Sequence, residues 1–308
     1  MARGAAGAAG TGALVLASVL WGTTGTAASF LPPDVSPLAI GASTMTVGGI
    51  LLFCVSARGS IAALRDAASR RWLLIGAVGV VVYPLAFYSA MDLAGVAIGN
   101  VVALGSGPVF AAILEWVWER RGLSTRWVIS TVVAIVGIVL LSLGGHGVGS
   151  DGDAAASDTV VPGVLLGLLA GLAYALYTYA STRAISTGHA GRSVMGGMFG
   201  VGAVALLPVL LLTGGPLLQS WHSVGIAGYL AFGPMFIAYL LFGFGLRSLR
   251  SSVATTITLL EPIVATLLAV AIVGERLDVI GWVGLSLIFM GVAVLVSARQ
   301  PRNSLRET

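Results

Sequence analysis

The sequence predicts an all-α integral membrane protein of ten transmembrane helices arranged as two inverted five-helix repeats. Three observations predict it. The 308-residue chain is 57% hydrophobic and only 9% charged, with mean hydropathy +1.00, against roughly 25% charged residues in soluble domains. Its apolar residues gather in ten runs, each able to cross ~30 Å of hydrocarbon, which takes about 20 helical residues. Features of the first half also recur in the second, as when Pro108 maps onto Pro262. So few charges cannot cover a water-facing surface, which excludes an ordinary soluble enzyme, and the apolar content excludes a disordered chain.

The runs are Thr11–Phe30, Pro37–Ser56, Trp72–Met91, Val96–Trp118, Trp127–Leu143, Val161–Thr182, Ser193–Thr213, Gly225–Leu246, Ser252–Val273 and Val279–Ser297. They are continuous, whereas barrel strands are shorter and alternate. Lipid offers the backbone no hydrogen-bond partners, so each run is expected to be a helix. The connections are short, and residues 1–150 and 151–308 are expected to form the two halves of one membrane domain. The first run resembles a secretory signal, with Arg3 before it and Ala27-Ala28-Ser29 near its end. Nine further runs follow, so a retained helix is expected. The single cysteine, Cys54, lies in an apolar run and permits neither an internal disulfide nor a thiolate metal site.

Orientation follows the arginines, because Lys and Arg concentrate on the cytoplasmic side. All 16 basic residues are arginine. Arg3, Arg58, Arg65, Arg70, Arg71, Arg120, Arg121, Arg126, Arg183, Arg192, Arg276, Arg299, Arg302 and Arg306 are assigned to the inner side. Arg247 and Arg250 are left outside as misfits. The outer loop after the fifth run carries Asp151, Asp153 and Asp158 and no arginine. Both termini are expected in the cytoplasm of a bacterial inner membrane. The arginines mark topology rather than a nucleic-acid surface.

Sliding the chain by the separation of Pro108 and Pro262 brings Ala111 onto Ala265, Leu114 onto Leu268, Leu123 onto Leu277, Gly137 onto Gly291 and Gly79 onto Gly233. Five passes per half is an odd number, so the second half enters from the opposite side. Inverted repeats are a hallmark of alternating-access transporters. Retention of an old duplication for packing alone is the other reading.

Particular segments carry a family resemblance. They are Gly107-Pro108-Val109-Phe110-Ala111-Ala112, Glu261-Pro262-Ile263-Val264-Ala265 and Gly274-Glu275-Arg276-Leu277. With ten spans, the chain resembles the drug/metabolite transporter superfamily, EamA type, over residues 11–297. Glu119-Arg120-Arg121 departs from the family pattern, two residues out of register with Gly-Glu-Arg. The resemblance implies export of amino acids, other metabolites or drugs, with the amino-acid exporter branch a candidate.

Glu261 sits near the middle of the ninth run. An ionised carboxylate there costs a few kcal/mol, so it should face the bundle interior. It reads either as a contact for a substrate ammonium or proton, or as a carboxyl capping backbone groups freed by Pro262. Pro84, Pro108, Pro234 and Pro262 are candidate hinges, or ordinary membrane prolines. Helical spacing aligns Tyr229, Phe232, Phe236 and Tyr239 on the eighth run, Tyr83 with Phe87 on the third, Tyr174 with Tyr177 and Ser181 on the sixth, and Trp21 with Thr24 on the first. Such walls suit an aromatic or zwitterionic solute and offer cation–π contact, although any one stripe also suits helix packing. Thr255, Thr258 and Glu261 make a polar line on the ninth run. Asn100 opens a small-residue line on the fourth, where it contacts substrate or only a neighbouring backbone. Glu275 and Arg276 are expected to gate the inner end of the ninth helix, and Glu115 to be a water-reached charge pairing with Arg126.

His146, His189 and His222 are scattered, and no hydrolase, metalloprotease or nucleotide-binding motif occurs. A channel filter is also missing. The expected function is export of neutral and aromatic amino acids by alternating access, through a central cavity among the first, third, fourth, sixth, eighth and ninth helices. The expected partners are a small-molecule substrate and the lipid bilayer, with no cofactor, no metal and a functional monomer. Export of amphipathic drugs or other metabolites is the alternative. A non-transporting helical scaffold or chaperone is the alternative from another class.

Overall fold

Helix α1 (Ala2–Gly22) stops at Thr23, whose N–H is shared between the carbonyls of Val19 and Leu20, and α2 (Thr24–Ser29) completes the crossing. The computed structural model describes residues 2–120, 125–146, 154–248, 257–258 and 260–296. Ser36 opens α3 (Pro37–Val55), accepting a hydrogen bond from the Ala39 N–H, while Pro37 presets the first turn. The short amphipathic α4 (Ala57–Arg65) leads to Asp66, which caps α5 (Ala67–Ala94) through the N–H groups of Ala68 and Ser69. Gly95, at φ 89°, turns the chain into α6 (Val96–Glu119), a conformation that glycine adopts without strain. Next come α7 (Thr125–Gly144), α8 (Ala154–Ile185), α9 (Gly191–Thr213), α10 (Trp221–Leu230) and α11 (Ala238–Ser248), with π-helical Ala231–Ile237 between the last two. Helix α12 (Leu260–Leu268) runs into π-helical Ala269–Val273, and α13 (Val279–Val296) ends the described chain.

Among the described residues, seven helical stretches are long and apolar enough to cross a membrane, and Thr131–Leu141, Leu260–Val273 and Val279–Gly291 are shorter apolar helices. The protein is a multi-pass helical membrane protein. The sixth helix begins at Ala154, before the apolar run at Val161, so its first turns extend past the hydrophobic stretch. A two-residue antiparallel pair, β1 (Gly145–His146) with β2 (Arg276–Leu277), was not expected; it ties the segment after α7 to the segment before α13.

Contacts divide the bundle into two ends. At one end Asp66 meets His189, Glu119 meets Arg183, and the close of α11 lies beside the start of α1, where Gly245 faces the Gly10 carbonyl. At the far end His222 meets the Phe30 carbonyl, Gly25 packs on Met91 and Val96, and Glu275 meets the start of α6. Among the described residues, Arg58, Arg65, Arg70, Arg71, Arg120, Arg183, Arg192 and Arg247 belong to the first end and Arg276 to the far end. This corrects two placements. Glu275 and Arg276 stand opposite the arginine-rich end rather than at it, and Arg247 stands on that end rather than outside. The physical reason is the direction of the ninth helix. It runs parallel to α1, with Ser18 reaching the Ile257 carbonyl and Gly22 packing on Val264, and so finishes at the far end. Arg250 lies outside the described residues.

The most extensive helix pairings all join one half of the chain to the other: α5 with α8, α7 with α13, α3 with α9, α6 with α8, and α1 with α11. Small residues permit this closeness. A Cβ on Gly79 would lie 2.6 Å from the Ala173 carbonyl oxygen, and one on Gly137 would lie 2.7 Å from that of Gly284.

Candidate functional site

Where the two halves meet, aromatic side chains form one continuous chain of ring contacts. It runs from Trp21 on α1 through Tyr239 on α11, Phe199 on α9 and Tyr177 and Tyr174 on α8 to Tyr83 and Phe87 on α5, with centroid separations of 5.2 to 6.0 Å. Most pairs are tilted or edge-to-face, the arrangement that ring quadrupoles favour. The Tyr177 and Tyr239 hydroxyls are hydrogen-bonded at 3.1 Å, and the Trp21 N–H donates to the Pro234 carbonyl at 2.8 Å. That carbonyl lies in the π-helical stretch, where regular i to i−4 pairing is interrupted.

Glu261 interacts electrostatically with Tyr83, Tyr174 and Tyr239. It is half-buried, as are Trp21, Tyr83, Tyr174, Tyr239, Phe236 and Thr258. On α6 the burial changes abruptly at Pro108. From Val96 to Gly107 every residue but Leu104 is buried, and from Pro108 to Arg120 none is. Helix α6 is therefore covered by its neighbours at the far end and only partly covered toward the arginine-rich end.

The expected site residues are thus partly united. Trp21, Tyr83, Phe87, Tyr174, Tyr177 and Tyr239 join one cluster, with Glu261 beside it. Phe236 packs on the apolar core that holds Tyr177 and Phe199, without a ring contact among the described residues. Thr24 is buried in α2, and Thr258 lies one turn before Glu261; Thr255 is outside the described residues. Asn100 is fully buried, and neither its amide nitrogen nor its oxygen has a partner among the described residues. A buried primary amide without partners is costly.

The eighth-helix stripe does not hold as one face. Tyr229 and Phe232 are 39% and 51% exposed, while Phe236 and Tyr239 point inward. The π-helical stretch Ala231–Ile237 has more residues per turn than an α-helix, so it rotates the face partway along. Of the prolines, Pro234 lies within that distortion, Pro84 and Pro108 lie inside uninterrupted helices, and Pro262 falls in the first turn of α12. Glu115 is exposed, and the side chain of Arg126 is outside the described set.

Two aromatic members escaped the sequence reading. Phe199 is fully buried, and Phe242 lies 5.5 Å from Trp21. Phe199 had no aromatic neighbour at helical spacing to mark its face.

Glu275 is a buried clasp at the far end. Its carboxylate accepts hydrogen bonds from the Val96 and Ala97 N–H groups, the latter at 2.9 Å, and so satisfies the exposed donors that begin α6. Burial pushes its carboxyl above the usual range, and these hydrogen bonds pull it back part of the way. Cavities of about 410 and 360 Å³ lie away from the ring cluster, one beside Arg58 and Arg192 and one beside Thr26 and Tyr229.

Comparisons with known proteins agree with this architecture. The model of the EamA-like transporter family matches residues 8–143 and 161–297. The chain is 31% identical over 289 residues to "Uncharacterized transporter YwfM" of Bacillus subtilis (strain 168), covering 92% of this chain and 93% of that one. It is 23% identical over 289 residues to an "Uncharacterized transporter" of Archaeoglobus fulgidus, covering 93% and 98%. A solved crystal structure 23% identical in sequence superposes with a TM-score of 0.63, covering 93% of this chain and 96% of the other, and shares its fold.

Proposed function

The chain belongs to the EamA-like transporter family, and on that premise we propose that it exports neutral and aromatic amino acids by alternating access. Ten helices act as two inverted five-helix repeats in a bacterial inner membrane, with both termini cytoplasmic. The observation that carries the reading is the ring chain around Glu261, to which both halves contribute. An aromatic side chain entering there exchanges ring contacts with Trp21, Tyr83 and Tyr174 for its own, and the Glu261 carboxyl takes the substrate ammonium or its proton. The unpaired amide of Asn100 supplies a donor and an acceptor to a zwitterion.

The partly uncovered second half of α6 and the clasped far end fit a state open toward the arginine-rich, cytoplasmic side. Moving to the opposite state requires Glu275 to leave the start of α6, so the gate formed by Glu275 works at the outer end. Pro84, Pro108, Pro234 and Pro262 are the positions where helices bend in that exchange.

The test is flux into proteoliposomes. Labelled Phe or Thr should cross with saturable kinetics that the unlabelled amino acids inhibit. Flux of amphipathic cations instead would favour drug export. No flux of any solute in a broad metabolite panel would favour a scaffold and overturn transport.

A further inference from the structure

A second site lies outside the transport path, where α3 gives way to α4 and α9 begins, at the arginine-rich end. A cavity of about 410 Å³ opens there between Arg58 and Arg192, with Ser56, Ser193, Cys54 and Val55 on its walls. We propose that this cavity binds the phosphate of an anionic phospholipid.

Four features converge on a phosphate. Arg58 and Arg192 are exposed and form no ion pair among the described residues. Asp66, the acid of the same connection, is already turned to the start of α5 and to His189. Two helix N-termini end at the cavity without side-chain caps. Ser56, before α4, spends its hydroxyl on the Leu52 carbonyl and on Ser60, and Ala190, before α9, has no polar side chain to offer. Uncapped N-termini present free N–H groups and a positive dipole end to an anion. Finally, Ser193 is only 7% exposed, lines the cavity, and its hydroxyl has no hydrogen-bond partner among the described residues. A buried hydroxyl without a partner is a donor waiting for an acceptor.

The surroundings select a lipid over a soluble phosphate. Val55 is 62% exposed and Cys54 is exposed on the rim, and Ile61 of the amphipathic α4 is 40% exposed. Free phosphate gains nothing from these apolar groups, whereas acyl chains cover them. Basic pockets at the inner membrane surface are a recognised setting for anionic headgroups.

Native mass spectrometry of the full chain, released from nanodiscs of mixed phosphatidylglycerol and phosphatidylcholine, tests the proposal. The wild type should retain phosphatidylglycerol about tenfold over phosphatidylcholine. The Arg58→Gln/Arg192→Gln variant should lose that preference, and the charge-matched Arg65→Gln/Arg70→Gln variant should keep it. Cys54, the single cysteine, provides a second measurement. Its maleimide labelling should be slower in phosphatidylglycerol discs than in phosphatidylcholine discs, a difference the Arg58/Arg192 variant abolishes. Equal lipid preference in the wild type and that variant overturns the proposal. So does displacement of the retained lipid by millimolar inorganic phosphate, which would assign the cavity to a soluble anion.

Discussion

At the scale of single residues, two carboxylates contrast sharply. Glu261 is half-buried within electrostatic reach of three tyrosines, and Glu115 is exposed on the fourth helix. Glu261→Gln should lower the initial transport rate in proteoliposomes about tenfold, near 1.4 kcal/mol of barrier, while Glu115→Gln leaves it within error. Equal rates for the wild type and Glu261→Gln from pH 5 to 8 would remove the proton-site role. Asp66 supports a pH prediction. The Ala68 N–H holds its carboxyl below the usual carboxylate range, with His189 and the Ser69 N–H adding to the effect. A carboxyl depressed in the folded state contributes stability above its unfolded pKa of about 3.9. That contribution is lost as pH falls through the lower, folded value. Thermal melts of Asp66→Ala in detergent should therefore lie a few degrees below wild type at pH 7, and the two should converge in strong acid. Glu261 was legible in the sequence because a lone acid in an apolar run is conspicuous. The clasp made by Glu275 was not, because its partners are backbone N–H groups more than 170 residues away.

At the scale of elements, helix ends and helix irregularities decide the geometry. Glu275 satisfies two donors that begin α6, and the segment holding it is tied to β1 through β2. Glu275→Ala leaves those donors unpaired in a buried place, at about 1–3 kcal/mol for each. The expected outcome is a lower melting temperature and faster labelling of cysteines introduced near Gly95, both measured in a cysteine-free background. An unchanged labelling rate would mean that the far end stays shut without the clasp. The eighth helix shows why spacing alone misjudged a face. Tyr229, Phe232, Phe236 and Tyr239 fit an α-helical stripe, but the π-helical turns around Pro234 rotate Tyr229 and Phe232 away. Interrupted hydrogen bonding of this kind depends on what the neighbouring helix offers, here the Trp21 N–H.

At the scale of the whole molecule, the largest helix pairings cross between the halves. Orientation can be tested with the native chain. Cys54 lies at the arginine-rich end. A membrane-impermeant maleimide should label it from the cytoplasmic face only, and Arg276→Cys in a Cys54→Ser background should react from the outside only. Labelling of both positions from one face would break the assignment of the two ends. The multi-pass helical character read from the sequence held, while the inner placement of Arg276 and the outer placement of Arg247 did not. Charge counts rank sides by totals, and short connections leave few residues with which to check each crossing.

The sequence by itself determined that this chain dissolves in lipid as helices, because a run of apolar residues leaves the backbone no partners except its own. It also determined which residues were candidates, since Glu261, Asn100 and the aromatic groups are unusual in such runs. Tertiary structure alone decided which of them meet. Ring contacts among Trp21, Tyr83, Tyr174, Tyr177, Phe199 and Tyr239 join five helices that are distant in sequence. Their proximity is set by close approach at Gly79, which faces Ala173 and Tyr177, and by the rotation of the eighth helix. These are properties of packing, which no pattern within a single helix encodes.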